Sequence, residues 1–337
     1  MQRRLCISAL LTAGLIAGLL SAPAADATVH QAGTVRQADT DPVTQTNGFY
    51  VNPDNSAAVW DAANPTDGRE PAIAANIANE PSAVWFAGQG TENIAEQTGA
   101  LEGAAAYSNQ LPVMVAYNIT DRDICAGQSA GGAASDSAYE NWINLFAVGI
   151  ADRPALVILE PDALADESCM TSAEISDRDG LLNYAIAQFN ENAQETWVYL
   201  DAGNPGWIAA GTMASYLNSA GLAQAHGFSL NVSSFYTVAQ NVAYGNAINA
   251  DLSAWYGYTR PFVIDTSRDG NGSNDNQWCN PDGMKLGATD QLGNGDGAEM
   301  LLWIKDPGES DGDCGNGDGT TAGEFDPQLA YDLVYGY

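Results

Sequence analysis

Histidine and lysine are nearly absent from this chain. Its 337 residues include two histidines, His30 and His226, and two lysines, Lys285 and Lys305. A mechanism built on a histidine base is therefore hard to assemble, and proton transfer falls to carboxylates. Eleven Lys and Arg face 42 Asp and Glu, a net charge of −31. Such a balance excludes nucleic acid as a partner, because neutralising phosphates needs cations. The five cysteines lack the close Cys/His spacing of a zinc site, so neither metal nor cofactor is expected.

Long apolar runs are missing beyond the first residues. Arg3 and Arg4, the stretch Leu10 to Leu20 and "SAPAADA" ending at Ala27 read together as a secretory signal peptide, residues 1–27. Its apolar part is too short to span a bilayer. The chain is expected to be extracellular, with no membrane partner after cleavage. Residues 28–45 lack apolar periodicity and read as a disordered tail. A single catalytic domain is expected over 46–337. Cys6 leaves with the signal; Cys125, Cys169, Cys279 and Cys314 remain, an even set that suggests two disulfides with three pairings open.

What is present is a recurring pattern. Seven short apolar runs begin at residues 83, 112, 155, 196, 227, 261 and 300, spaced widely enough for a crossover helix each time. Between them, Tyr139, Trp142, Ile143 and Phe146 share one helical face, as do Leu182, Ala185, Ile186 and Phe189. Strand-helix alternation with nearly continuous apolar strands predicts a parallel sheet covered by helices, either a barrel or a doubly wound sheet. Both place function at the carboxyl ends of the strands.

Those ends are acidic. Run two leads to Tyr117, Asp121 and Asp123, run four to Asp201, run six to Asp265, and run seven to Lys305, Glu309 and Asp311. Run three, "ALVILEPDALAD", ends on Glu160 and Asp162, spaced so that an extended backbone points both to the same side. A single acid in such a place is as often a helix cap or turn former. Several converging on one rim would lose solvation and repel one another, which keeps a carboxyl protonated for general-acid catalysis. Aromatic rings sit at the same ends: Trp85, Tyr117, Trp207, Trp278 and Trp303. Core packing is the better reading for Trp303, Trp142 and Trp197, whereas Trp207 and Trp278 lie in Gly, Pro and Asn-rich loops. Acids beside flat rings, without histidine or metal motifs, indicate glycoside hydrolysis.

From Phe49 onward the chain resembles glycoside hydrolase family 6, the β-1,4-glucanases and cellobiohydrolases. The resemblance is carried by "FYVNP" (49–53), "LPVMVAYNITDRDICAGQSAGG" (111–132), "LVILEPDALA" (156–165), "VYLDAGNPGW" (198–207), "AHGFSLNVSSF" (225–235), "VIDTSRDGNG" (263–272), "QWCNPDG" (277–283) and "LLWIKDPGESDGDC" (301–314). It implies a distorted seven-stranded parallel β/α barrel, TIM-like, with a substrate cleft and an inverting mechanism. In that mechanism acid and base stand about 6.5–9.5 Å apart. By the same resemblance Asp162 is the general acid, Asp123 its close neighbour, Asp311 the candidate base and Asp201 a supporting group. Trp85, Tyr117, Ser129, Trp207, Trp278, Lys305 and Glu309 would bind substrate. The implied disulfides are Cys125–Cys169 and Cys279–Cys314. Asn204 and Ser234 are also substrate-binding candidates, although both depart from the pattern: Asn204 where His is common, and Ser234-Phe235 where Asn-Tyr is usual. The stretch after Cys314 is short, which favours an open cleft and internal cuts in a β-1,4-linked glucan by a monomeric enzyme. The alternatives are an exo-acting cellobiohydrolase or a non-catalytic β-glucan-binding protein on the same scaffold.

Overall fold

The structure, a computed structural model, describes residues 41–88, 93–125, 127–273, 277–293 and 297–337. The expected signal peptide and the part of the expected tail before residue 41 lie outside the described residues. Residues 41–45 of that tail are among the described residues. Pro42–Gln45 (α1) form one turn, capped by Asp41 accepting from the Val43 N–H, and Val43 packs against the core. Two hydrophobic contacts outside any periodic pattern gave the sequence little to mark this turn.

All seven expected runs are strands: β1 Val84–Phe86, β2 Val113–Ala116, β3 Ala155–Leu159, β4 Thr196–Asp201, β5 Gly227–Leu230, β6 Phe262–Asp265 and, at the end, β8 Met300–Leu302. One more, β7 Gln291–Leu292, pairs antiparallel with β8 and was not foreseen. Two exposed residues carry no periodicity, which is why the count is eight. The sheet runs β1-β2-β3-β4-β5-β6-β8-β7, parallel except at β7. It curls until its two sides meet, with the Ala83 N–H donating to the Trp303 carbonyl at 2.9 Å and the Trp85 indole to the Ile304 carbonyl at 2.7 Å. The result is the distorted barrel expected.

Alternation along the strands sorts two apolar layers. Val113, Val115, Leu156, Ile158, Tyr199, Val263 and Met300 fill the inside. Met114, Ala116, Val157, Leu159, Val198 and Leu200 face outward under the helices. Those helices are α4 Ile94–Ser108, α5 Asp136–Ile150, α6 Ser172–Asn192, α7 Ala210–Ser219 and α8 Val238–Tyr256, while α2 Ser56–Ala63, α3 Glu70–Ile73 and α9 Pro327–Tyr335 pack with one another in a separate cluster. Thr171 with Glu174 and Thr237 with Gln240 form capping boxes that start α6 and α8. The expected faces of α5 and α6 are the buried ones. Phe146 of α5 meets Phe86 and Phe189 edge-on at 5.2 and 5.8 Å. Burying a side chain of that size stabilises by about 1.5–3 kcal/mol. With the helices on the outside, the strand ends are free to carry loops.

Candidate active site

Strands β2, β3 and β5 end in residues with left-handed backbone. Asp121, Asp123, Glu160, Asp162, Asn231 and Ser233 all have positive φ. Asn and Asp tolerate this conformation better than most residues, and such strain gathers at functional sites. The turn also overrides the expectation for Glu160 and Asp162. Because β3 stops at Leu159 and both acids leave the extended region, their carboxylates part company.

Glu160 is fully buried, and its Oε2 accepts the Asn118 and Ile119 N–H groups at 2.9 and 3.0 Å. It fixes the backbone after β2. Asp265 plays the same part beyond β6: its carboxylate accepts four backbone N–H groups, from Ser233, Ser267, Ile304 and Lys305. These two acids hold turns through backbone N–H groups.

Asp162 is different. It is half-buried, and the Tyr117 hydroxyl donates to its Oδ2 at 3.5 Å. Its backbone N–H donates to Asp201 Oδ2 at 3.0 Å, and Asp201 also takes the Gly203 N–H and the Ser229 hydroxyl. Asp123 reaches the cluster from the loop after β2, its Oδ2 accepting the Ser129 N–H at 2.5 Å. Burial, together with the charges of Asp201, Asp166 and Asp123, raises the Asp162 carboxyl well above the usual range, and the Tyr117 bond only partly offsets this. The shift favours the protonated form of Asp162.

Burial likewise lifts Glu160 from 4.5 to about 7 and Asp201 from 3.8 to about 6, against the N–H bonds that favour their ionised forms. Each binds its proton more tightly in the folded chain than in the unfolded one. Stability is therefore lost as pH rises through those intervals. Glu160→Gln should accordingly gain in Tm over the parent at about pH 8 and lose that gain near pH 4. A gap of equal size at both would contradict the assignment.

Asp311 lies in the chain that follows β8. Its Oδ2 accepts from Arg268 Nη1 at 2.8 Å and from the Asn280 N–H at 3.0 Å, and its own N–H donates to the Asn280 side chain. A Cβ placed on the next residue, Gly312, would come within 2.5 Å of the Gln128 amide oxygen, so this loop abuts the one bearing Asp123 and Ser129. Disulfides Cys125–Cys169 and Cys279–Cys314 tie down both loops, in the expected pairing. Arg268 is the functional side chain that sequence reading passed over. Its signal was a lone cation at an acidic strand end in a chain poor in cations.

The remaining candidates divide by exposure. Trp207 and Trp278 present rings that are 40 and 39% exposed, while Trp303 is core, as expected. Trp85 stands edge-on to Tyr117 at 5.3 Å. Lys305 is buried with its Nζ donating to the Ser310 carbonyl at 3.3 Å, and Glu309 beside it is half-buried and raised by burial. Asn204 and Ser234, the two departures, are both buried and bonded to each other, Nδ2 to Oγ at 2.9 Å. The two departures thus meet in the fold.

Clustered acids and exposed rings on the rim of a curled parallel sheet are the arrangement expected of a glycoside hydrolase. The chain belongs to the glycosyl hydrolases family 6, whose family model matches residues 44–335. It is a cellulase-type enzyme of that family. Endoglucanase 1 of Streptomyces halstedii is 60% identical over 88% of this chain and 91% of its own length. Endoglucanase A of Thermobispora bispora is 40% identical over 85% of this chain, which spans 61% of that longer protein. The solved endoglucanase Cel6 of Mycobacterium tuberculosis, in complex with methyl-cellobiosyl-4-deoxy-4-thio-β-D-cellobioside, superposes with a TM-score of 0.80 at 36% identity, over 88% of this chain and 99% of that one.

Proposed function

We propose that the protein is a secreted, monomeric, inverting endo-β-1,4-glucanase that cuts internal bonds of cellulose or a related β-glucan. The observation that carries the reading is the place of Asp162, beside Tyr117 and among Asp123 and Asp201, where burial and those charges raise its carboxyl. As general acid it delivers its proton to the glycosidic oxygen as the bond breaks. Asp123, at close range, holds that proton in place and crowds the sugar. Asp311, ion-paired with Arg268, takes a proton from the attacking water, directly or through a second water. Asp201 anchors the Asp162 backbone. Trp207 and Trp278 give flat faces to the glucose units.

Internal cutting is favoured by the chain after Cys314. Residues 323–326 fold back on 308–310, with Ser310 donating to Glu324, Gly323 to Ser310 and Asp326 to Gly308, so this stretch is held down rather than raised over the cleft. The endoglucanase names of the relatives point the same way. The test is to incubate the protein with a soluble cello-oligosaccharide and follow product anomers by NMR, alongside viscosity of a soluble cellulose derivative. An initial α-anomer and viscosity that falls early relative to sugar released are expected. An initial β-anomer would rule out inversion, late viscosity loss would favour exo action, and no cleavage would leave a binding protein.

A further inference from the structure

Arg178 has no part in the chemistry above, yet its guanidinium is buried beneath the acids. It lies on α6 and is 3% exposed. Its Nη1 donates to the Ala163 carbonyl at 3.0 Å, and its Nη2 donates to the carbonyls of Thr120 and Asp121 at 3.0 Å each. Ala163 follows Asp162 directly, and Thr120 and Asp121 come just before Asp123. One rigid planar group thus joins the two loops that bear these carboxylates. Asp166 reinforces the joint, its Oδ2 accepting the Ile124 N–H at 3.2 Å and its own N–H donating to the Asp162 carbonyl at 2.9 Å. A buried cation is costly to desolvate, and apolar packing here would be easier to build if filling space were all the fold required.

We propose that Arg178 is a positioning residue for glycosidic-bond cleavage, bridging the two loops so that Asp123 and Asp162 keep their working separation with water excluded between them. The proposal rests on Asp162 being the general acid.

The effect of removing Arg178 has two opposed parts. Asp162 is faced by Asp201 at the end of β4, by Asp123 and Tyr117 beyond β2, and by Asp166 on its own turn. Arg178 is faced by Glu160, by Tyr139 of α5, and by Asp121 and Asp166. Loss of its positive charge would push Asp166 up, and that charge does not act strongly on Asp162 itself. Loosening the loops would admit water to Asp162 and part it from Asp123, removing causes that hold its proton. The second effect acts on the acid directly and wins. The alkaline limb of kcat/KM, which reports the acid in the free enzyme, should therefore move to lower pH.

The experiment compares the parent, Arg178→Met and Arg178→Lys on a soluble cello-oligosaccharide and on a dinitrophenyl cello-oligoside, whose leaving group departs without a proton. For Arg178→Met, kcat on the oligosaccharide should fall about 10- to 100-fold with KM near that of the parent. Its alkaline limb should drop by about one pH unit. The dinitrophenyl substrate should be largely spared. Lysine keeps the charge but cannot span both loops, so Arg178→Lys should fall between, and it carries the same test if Arg178→Met does not fold. Equal losses on both substrates with the limb unmoved or moved upward would overturn the proposal. Asp162→Ala, run in parallel, separates the failures. If it cleaves the oligosaccharide at the parent rate, the acid assignment is wrong; if it is inactive there while the Arg178 variants keep the parent limb, only the positioning role is wrong.

Discussion

Asp162→Ala should slow hydrolysis of an unactivated β-1,4-glucan by about 10²–10⁴-fold, the range a general acid contributes. The same variant should cleave a dinitrophenyl cello-oligoside at close to the parent rate, because that leaving group needs no proton. The contrast follows from how Asp162 is housed. Burial and three neighbouring carboxylates raise its carboxyl, and Tyr117 is the neighbour that opposes them. Its backbone is fixed separately, by the bond from its N–H to Asp201, so truncating the side chain leaves the turn in place. A parallel loss on both substrates would mean that the turn, rather than the proton, had been lost.

Arg268→Met should destabilise the fold by about 3–5 kcal/mol, the cost of leaving one partner of a buried ion pair alone. Asp311 and Arg268 are 8 and 3% exposed, so the two charges are paired in a largely buried place. Arg268 also donates to the Ser233 carbonyl and lies over the Phe235 ring at 4.3 Å, so it binds the loop after β5 to the loop after β8. Urea unfolding of the parent, Arg268→Met and the double variant with Asp311→Asn would measure this. Neutralising Asp311 as well should recover a large part of the loss, since the penalty lies in the stranded charge. No recovery would place the cost in packing instead.

Much of the architecture was legible because it rests on period and spacing. Tyr139, Trp142, Ile143 and Phe146 could only be a buried helical face, and seven apolar runs with crossover-length gaps could hardly pair other than in parallel. β7 was not legible, since Gln291 and Leu292 are exposed and pair through backbone alone. At the rim the acids could be found but not told apart. Glu160, Asp162 and Asp265 look alike in the sequence, and what separates them is whether neighbouring N–H groups claim the carboxylate, a matter of turn geometry. Arg268 and Arg178 escaped for a related reason: each acts on partners brought close only by the fold, 43 residues away for Asp311 and 58 for Thr120.

The left-handed turns at Asp123 and Asp162 have one more consequence. Asn and Gly suit such a backbone at least as well as Asp does, and each is a single nucleotide from an aspartate codon. A lineage could therefore silence this hydrolase in one step while keeping its scaffold, or restore it as readily. In this fold the reaction is far easier to lose than the shape.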